Sequence, residues 1–147
     1  MKFTSAKLGE IEYDDEQVIL FPEGLLGFPG LSRYALIDEK QGPFMWLQSL
    51  DEPSLALVVI DPWLFFPAYS ADLPDDDVEA LELSEPYNFS ILCVATVPQQ
   101  PRETTVNLMG PLVINLNNRK AKQVVLSNQE YKTRHRLFEE ECQENEQ

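Results

Sequence analysis

The sequence contains few of the residues from which catalytic and metal sites are usually built. It has one histidine and two cysteines in 147 residues. His135 lies between Arg134 and Arg136 and has no partner at a fixed spacing, which indicates a surface histidine rather than part of a catalytic triad. Ser49 and Cys93 have no adjacent base, and no cysteine–histidine set has zinc-site spacing. We therefore expect no enzyme, no metal and no cofactor.

A long apolar run is also missing. The longest one without proline, residues 55–60, is far too short to cross a bilayer, and no apolar run follows the one lysine of residues 1–5. Cys93 lies in an apolar run and Cys142 in a charged tail, which disfavours a disulfide framework. These absences predict a cytoplasmic protein whose two thiols are free.

Glycine is scarce, yet three of the 6 glycines fall in one stretch, FPEGLLGFPG at 21–30. A dinucleotide fingerprint needs G-x-G-x-x-G and a P-loop needs G-x-x-x-x-G-K-[ST], each followed by a helix. This stretch has G-x-x-G-x-x-G spacing, no basic residue, and Pro29 in place of one amide donor. It therefore predicts no phosphate site. Its apolar Leu25, Leu26 and Phe28 indicate a folded-back loop that plugs a barrel end, the more usual role, or presents an apolar binding surface.

Positive charge is absent from residues 41–101, in a chain whose net charge is -14. Such a charge opposes binding to nucleic acid or to an anionic membrane and favours basic partners. The most concentrated acidic run contains Asp75, Asp76 and Asp77. It lacks the residue order of a calcium loop, so a solvated acidic face is the simpler interpretation.

Proline determines the fold class. The 11 prolines lie between residues 22 and 111, and each removes a donor and disfavours helix at the residue before it, so no long helix fits there. We predict a mostly β fold, a single antiparallel β-barrel-like domain with one or two short helices. The apolar runs predict strands at 3–8, 10–13, 18–21, 33–37, 44–50, 55–60, 89–97, 104–108, 112–116 and 123–126.

Two short helices and one hairpin complete the prediction. Asp75 is a candidate N-cap for a helix over 75–83, and a second helix is expected from Asn128 to about Glu141. Asn117 and Asn118 predict a hairpin turn between the strands at 112–116 and 123–126.

An acidic, mostly β domain without a catalytic motif is typical of a binding module. Two other classes of function remain as alternatives. The first is a small-molecule-binding or catalytic barrel with a pocket lined by Trp63, Phe65, Phe66 and Tyr69, although a packed bend between two prolines explains this cluster more simply. The second is a nucleic-acid mimic that blocks a basic groove directly with residues 75–77.

Several motifs, taken in order, resemble the bacterial flagellar assembly factor FliW family. They are FPEGLLGFPGL (21–31), PFMWLQSL (43–50), LVVIDPWLFFPAYS (57–70), TVNLMGPLVINLNNRKAKQVVL (105–126) and YKTRHRL (131–137). The resemblance implies one domain at 1–138 and leaves an acidic tail at 139–147. The family usually reads G-L-P-G-F-E in the loop, and here Leu26 and Pro29 stand where proline and glutamate are expected.

The resemblance implies two protein partners and no direct contact with nucleic acid or membrane. Proteins of this family bind the translational repressor CsrA and prevent it from silencing flagellin messenger RNA, by a mechanism described as allosteric. They also bind flagellin, which competes with the repressor. An acidic module suits a basic, RNA-binding partner. We expect the partner surface to combine the apolar loop with the acidic run, through Leu25, Leu26, Phe28, Asp75, Asp76 and Asp77.

Overall fold

Strands dominate the fold, as the proline spacing predicts. The computed structural model describes residues 1–38, 43–83, 88–127 and 131–137. Within those residues it contains one α-helix, α1 (Asp75–Ala80), and three 3-10 turns at Asp15–Gln17, Pro62–Leu64 and Pro101–Glu103. The strands of the same residues are β1 (Lys2–Ser5), β2 (Gly9–Glu12), β3 (Val18–Leu20), β4 (Arg33–Asp38), β5 (Met45–Ser49), β6 (Ala56–Ile60), β7 (Phe89–Thr96), β8 (Thr105–Val106), β9 (Leu112–Asn115), β10 (Ala121–Gln123) and β11 (His135–Arg136).

The main sheet curls into a barrel-like form. Its antiparallel strands follow the order β10-β9-β7-β6-β5-β4-β3, while β8 pairs with the end of β7 and with β11. The outermost strands meet through one parallel bridge between Leu20 and Lys120, where the Leu20 N–H donates to the Arg119 carbonyl at 2.9 Å. The fold is therefore the predicted barrel-like antiparallel domain, without a continuous ladder that closes it. Strands β1 and β2 form a separate hairpin.

The interior of the curled sheet is one apolar cluster to which all seven of these strands contribute. It includes Ile19 of β3, Tyr34 of β4, Leu47 of β5, Val59 of β6, Leu92 of β7, Leu112 and Ile114 of β9, and Ala121 of β10. Because alternate side chains of a strand point to opposite faces, this cluster uses every second residue of each strand. Leu25 of the 21–30 loop joins the same cluster.

A second apolar cluster covers the outer face of β7 and β9. Ile91, Cys93 and Val113 alternate with the interior residues and pack against Tyr69 and Leu81 from the segment after β6. Both faces of these two strands are therefore buried, which explains why their sequence is a continuous apolar run instead of an alternating pattern.

The predicted C-terminal helix is wrong over residues 131–137. His135 and Arg136 form β11 instead, and His135 pairs with Val106 of β8. The reason is tertiary, because β8 pairs with β7 on one side and with β11 on the other, and Leu137 after β11 is buried in the second cluster. Residues 128–130 and 138–141 of the prediction, the tail at 139–147 and Cys142 lie outside the described residues.

Two predicted strands are shorter or displaced. The strand expected at 104–108 covers only Thr105–Val106, because the Asn107 side-chain oxygen accepts from the Met109 and Gly110 N–H groups and turns the chain away. The strand expected at 123–126 is β10, three residues long. The hairpin is confirmed, with Asn117 and Asn118 in its turn. Arg119 of the same connection has a positive φ of 63°.

Candidate functional site

The 21–30 loop has a compact backbone that depends on glycine. Gly24 has a φ of +73°, and a Cβ atom there would lie 2.5 Å from the Phe28 carbonyl oxygen. Leu25 and Phe28 face each other in an isolated antiparallel bridge, with the Phe28 N–H donating to the Leu25 carbonyl at 2.8 Å. The chain then continues into β4 and not into a helix. The loop therefore has the folded-back form that its sequence predicts, and it lacks the helix of a phosphate-binding loop.

The three apolar side chains of this loop have two different roles. Leu25 is 4% exposed and closes one end of the barrel interior, which is the expected plug. Leu26 is 63% exposed and Phe28 is 38% exposed. Phe28 is therefore not part of the plug, and the loop does both things that its sequence allows: Leu25 packs inward while its neighbours present apolar surface.

The acidic run forms the first turn of α1. Asp75 is the first helical residue, so the expectation that it caps the helix is wrong: Pro74 occupies the N-cap position and makes no side-chain cap. Acidic residues in the first turn of a helix interact favourably with its dipole, so residues 75–77 help to stabilise α1. Asp75 and Asp76 are exposed, whereas Asp77 is half-buried.

Lys122 of β10 joins α1 to the loop. Its Nζ lies 2.5 Å from Asp77 Oδ1 and 3.8 Å from Glu23 Oε1. The ion pair with Asp77 raises the pKa of Lys122 above its ordinary value. The loop and the acidic turn, 45 or more residues apart in the chain, are thus joined through one lysine.

The charge asymmetry of the sequence is partly neutralised in space. Besides Lys122, Lys120 pairs with Glu82 at 3.0 Å, and Glu82 lies just after α1. Asp75 and Asp76 make no direct ion pair among the described residues, and both are exposed. These two side chains are the part of the acidic run that is available to a partner.

The aromatic residues of the proposed pocket form a packed bend instead. Tyr69 is buried, its hydroxyl donates to the Leu108 carbonyl at 2.7 Å, and its ring meets Trp63 edge-on at 5.7 Å. Phe65 and Phe66 pack against the second apolar cluster. The Trp63 indole N–H donates to the Tyr69 carbonyl at 2.8 Å. The contacts between these side chains account for the cluster without a ligand.

Cys93 and His135, neither of which the sequence predicts to be catalytic, both pack against other side chains. Cys93 is buried, and burial raises the pKa of its thiol to about 12. A thiol that stays protonated at neutral pH is a poor nucleophile. His135 is half-buried on β11, where its ring meets Phe66 edge-on at 4.9 Å. The structure therefore gives both residues packing roles.

Lys122 and Gln123 hold the loop in place, although no pattern in the sequence singled them out. Gln123 Oε1 accepts from the Leu26 N–H at 3.0 Å, and its Nε2 donates to the Gly110 carbonyl at 3.0 Å. Neither residue belongs to a motif with a known mechanism. The one local signal is that Lys122 and Gln123 are adjacent in β10, and adjacent residues of a strand project to opposite sides.

Comparisons with known proteins agree with each other. A family model described as "FliW protein" matches residues 2–137. A flagellar assembly factor FliW from Pseudothermotoga lettingae is 43% identical over 135 residues, covering 91% of this chain and 86% of that protein. Another from Natranaerobius thermophilus is 43% identical over 143 residues, covering 96% and 95%. A crystal structure described as the flagellar assembly factor FliW has a TM-score of 0.86 at 36% identity and covers 94% of this chain and 97% of that one.

Proposed function

Because this chain belongs to the FliW family of flagellar assembly factors, we propose that it binds two proteins in competition, the translational repressor CsrA and flagellin. In the cytoplasm, the bound repressor no longer silences flagellin messenger RNA. Accumulated flagellin occupies the factor and releases the repressor, and export of flagellin reverses this. No catalytic step is part of the proposal.

One observation supports this function above the others: one lysine joins the acidic turn of α1 to the loop that exposes Leu26. Lys122 pairs with Asp77 of α1 and with Glu23 of the 21–30 loop, and Leu26 of that loop is exposed to solvent. An RNA-binding repressor carries basic surface, so an acidic turn favours its approach and orientation. The exposed Leu26 of the joined loop supplies the apolar contact that affinity requires.

Calorimetric titration with purified CsrA and flagellin tests the proposal. We expect each partner to bind the unmutated chain and to weaken the binding of the other. The two coupling factors must be equal, because linkage between two equilibrium binding events is reciprocal. A nucleic-acid mimic would bind the repressor without responding to flagellin.

Either of two results would reject the proposal. One is the absence of binding to both proteins by the folded chain. The other is simultaneous binding of CsrA and flagellin with unchanged affinities, since competition of any kind requires a coupling between them.

A further inference from the structure

A cavity opens at the end of the barrel that Leu25 closes, and we call it the barrel mouth. Its volume is about 250 Å³. Leu25, Leu57 and Val94 form its floor, and all three also belong to or pack against the interior cluster. A ligand therefore cannot pass into the barrel and has to stay in the mouth. The volume is below the range of most small-molecule sites, which begins at roughly 300 Å³, and suits one or two side chains.

The exposed apolar surface continues outward from this cavity. Leu26 and Phe28 line it and are both exposed to solvent. A shallow apolar cavity with an apolar border is the form of a protein–protein anchor site, in which one side chain fills the pocket and its neighbours contact the border. This continuity favours a protein partner over a small molecule.

The polar border of the barrel mouth contains two threonine hydroxyls, of Thr96 and Thr133, and the side chains of Asn107, Gln123 and Arg134. The Asn107 side-chain oxygen is occupied by the Met109 and Gly110 N–H groups, at 3.1 and 2.8 Å, which orients the amide. Within the described residues, neither Asn107 Nδ2 nor the Arg134 guanidinium has an acceptor. Both oxygen and nitrogen of Gln123 are already bonded.

Among residues 1–38, 43–83, 88–127 and 131–137, no acidic side chain lines the barrel mouth, although the chain has 25 acidic and 11 basic residues. The mouth is thus a locally positive site on an acidic protein. A basic partner is disfavoured there, because Arg134 would oppose it. An anionic group is favoured, because guanidinium and amide donors without acceptors bind carboxylate oxygens well.

We propose that the barrel mouth holds an apolar side chain of flagellin together with a carboxylate one or two residues away, which Arg134 and Asn107 bind. Flagellin is chosen over the repressor because a basic protein does not fit a positive border. The identity of the two partners rests on the proposed function. The same loop is then held by Lys122, which pairs with Glu23, and by Gln123, which accepts from the Leu26 N–H.

Two variants of the full chain test the proposal by different means. Arg134→Glu reverses the charge of the border, and Thr96→Phe fills the mouth from an exposed position without removing a packed side chain. Lys132→Glu and Thr4→Phe are matched controls, because both residues are exposed and lie outside the cavity lining. Circular dichroism establishes that all four variants are folded.

We expect Arg134→Glu and Thr96→Phe each to weaken flagellin binding at least about tenfold. The controls should change it by less than about threefold, and CsrA binding should change by less than about threefold in all four. Unaltered flagellin binding in both mouth variants, or loss of CsrA binding in place of flagellin binding, would show that the proposal is wrong. If the unmutated chain binds no flagellin, the proposed function fails and this assignment falls with it.

Discussion

Two adjacent leucines in the 21–30 loop show how much the environment of a residue depends on its position in the fold. Leu25 points into the barrel and Leu26 points into solvent, with exposures of 4% and 63%. The turn at Gly24 and the bridge between Leu25 and Phe28 set this orientation. The same loop can therefore stabilise the barrel and contact a partner.

Alanine substitutions at the two leucines should separate these roles. Leu25→Ala should lower the free energy of unfolding by about 2–4 kcal/mol, because it removes buried methyl groups and leaves a cavity. Leu26→Ala should change it by less than about 0.5 kcal/mol. Urea denaturation followed by tryptophan fluorescence measures both. Equal losses in the two variants would contradict the assignment of Leu25 as the plug.

At the scale of elements, β10 connects the acidic helix with the loop. Lys122 contacts Asp77 and Glu23, and the next residue, Gln123, holds the Leu26 N–H. Since Asp77 takes part in this contact, changing it would alter the structure and the surface charge together. A test of steering has to use Asp75 and Asp76 alone.

The double variant Asp75→Asn/Asp76→Asn should slow association with CsrA several-fold and change dissociation little, because rim charges act mainly on the encounter rate. Added salt should slow the unmutated chain and reduce the difference. Stopped-flow fluorescence at low and high ionic strength gives both rates. Glu10→Gln/Glu12→Gln on β2 is the matched control, with the same change in net charge at two exposed positions. If the control slows association as much, net charge and not the acidic turn of α1 steers the encounter.

At the scale of the whole molecule, the two apolar clusters share β7 and β9 and bury several groups that must stay neutral. Burial raises the pKa of Tyr34 to about 12 and that of Cys93 to about 12. It also raises the pKa of Tyr69. These groups link the stability of the whole barrel to alkaline pH.

Stability should therefore decline in alkaline solution. The folded pKa values of Cys93 and Tyr34 lie above their ordinary values of about 9 and about 10, so the folded state binds these protons more tightly. Their contribution is complete below about pH 9 and is lost as the pH rises towards 12. Urea midpoints measured across this range test the trend.

Tyr34→Phe should make the free energy of unfolding depend less on pH and should lower it little. The reason is that the Tyr34 hydroxyl has no hydrogen-bond partner in the described part of the chain. A midpoint independent of pH would contradict the prediction.

Within residues 1–38, 43–83, 88–127 and 131–137, no helix is long and apolar enough to span a membrane. The strand prediction also holds in its main lines, because proline and short apolar runs act locally. The helix expected over 131–137 failed because its local pattern competed with pairing to β8, which lies about 30 residues earlier in the chain and is visible only in the fold.

The sequence by itself determined the antiparallel β class, the turns at Gly24 and Asn117, and the acidic character of the chain, since these follow from backbone restrictions and charge. Only the tertiary structure decided that Leu25 faces inward and Leu26 outward, that Lys122 joins α1 to the loop, and that β11 is a strand. Each of these depends on contacts between distant residues. Their energies arise from burial and ion pairing that form when the sheet curls, and no local pattern encodes them.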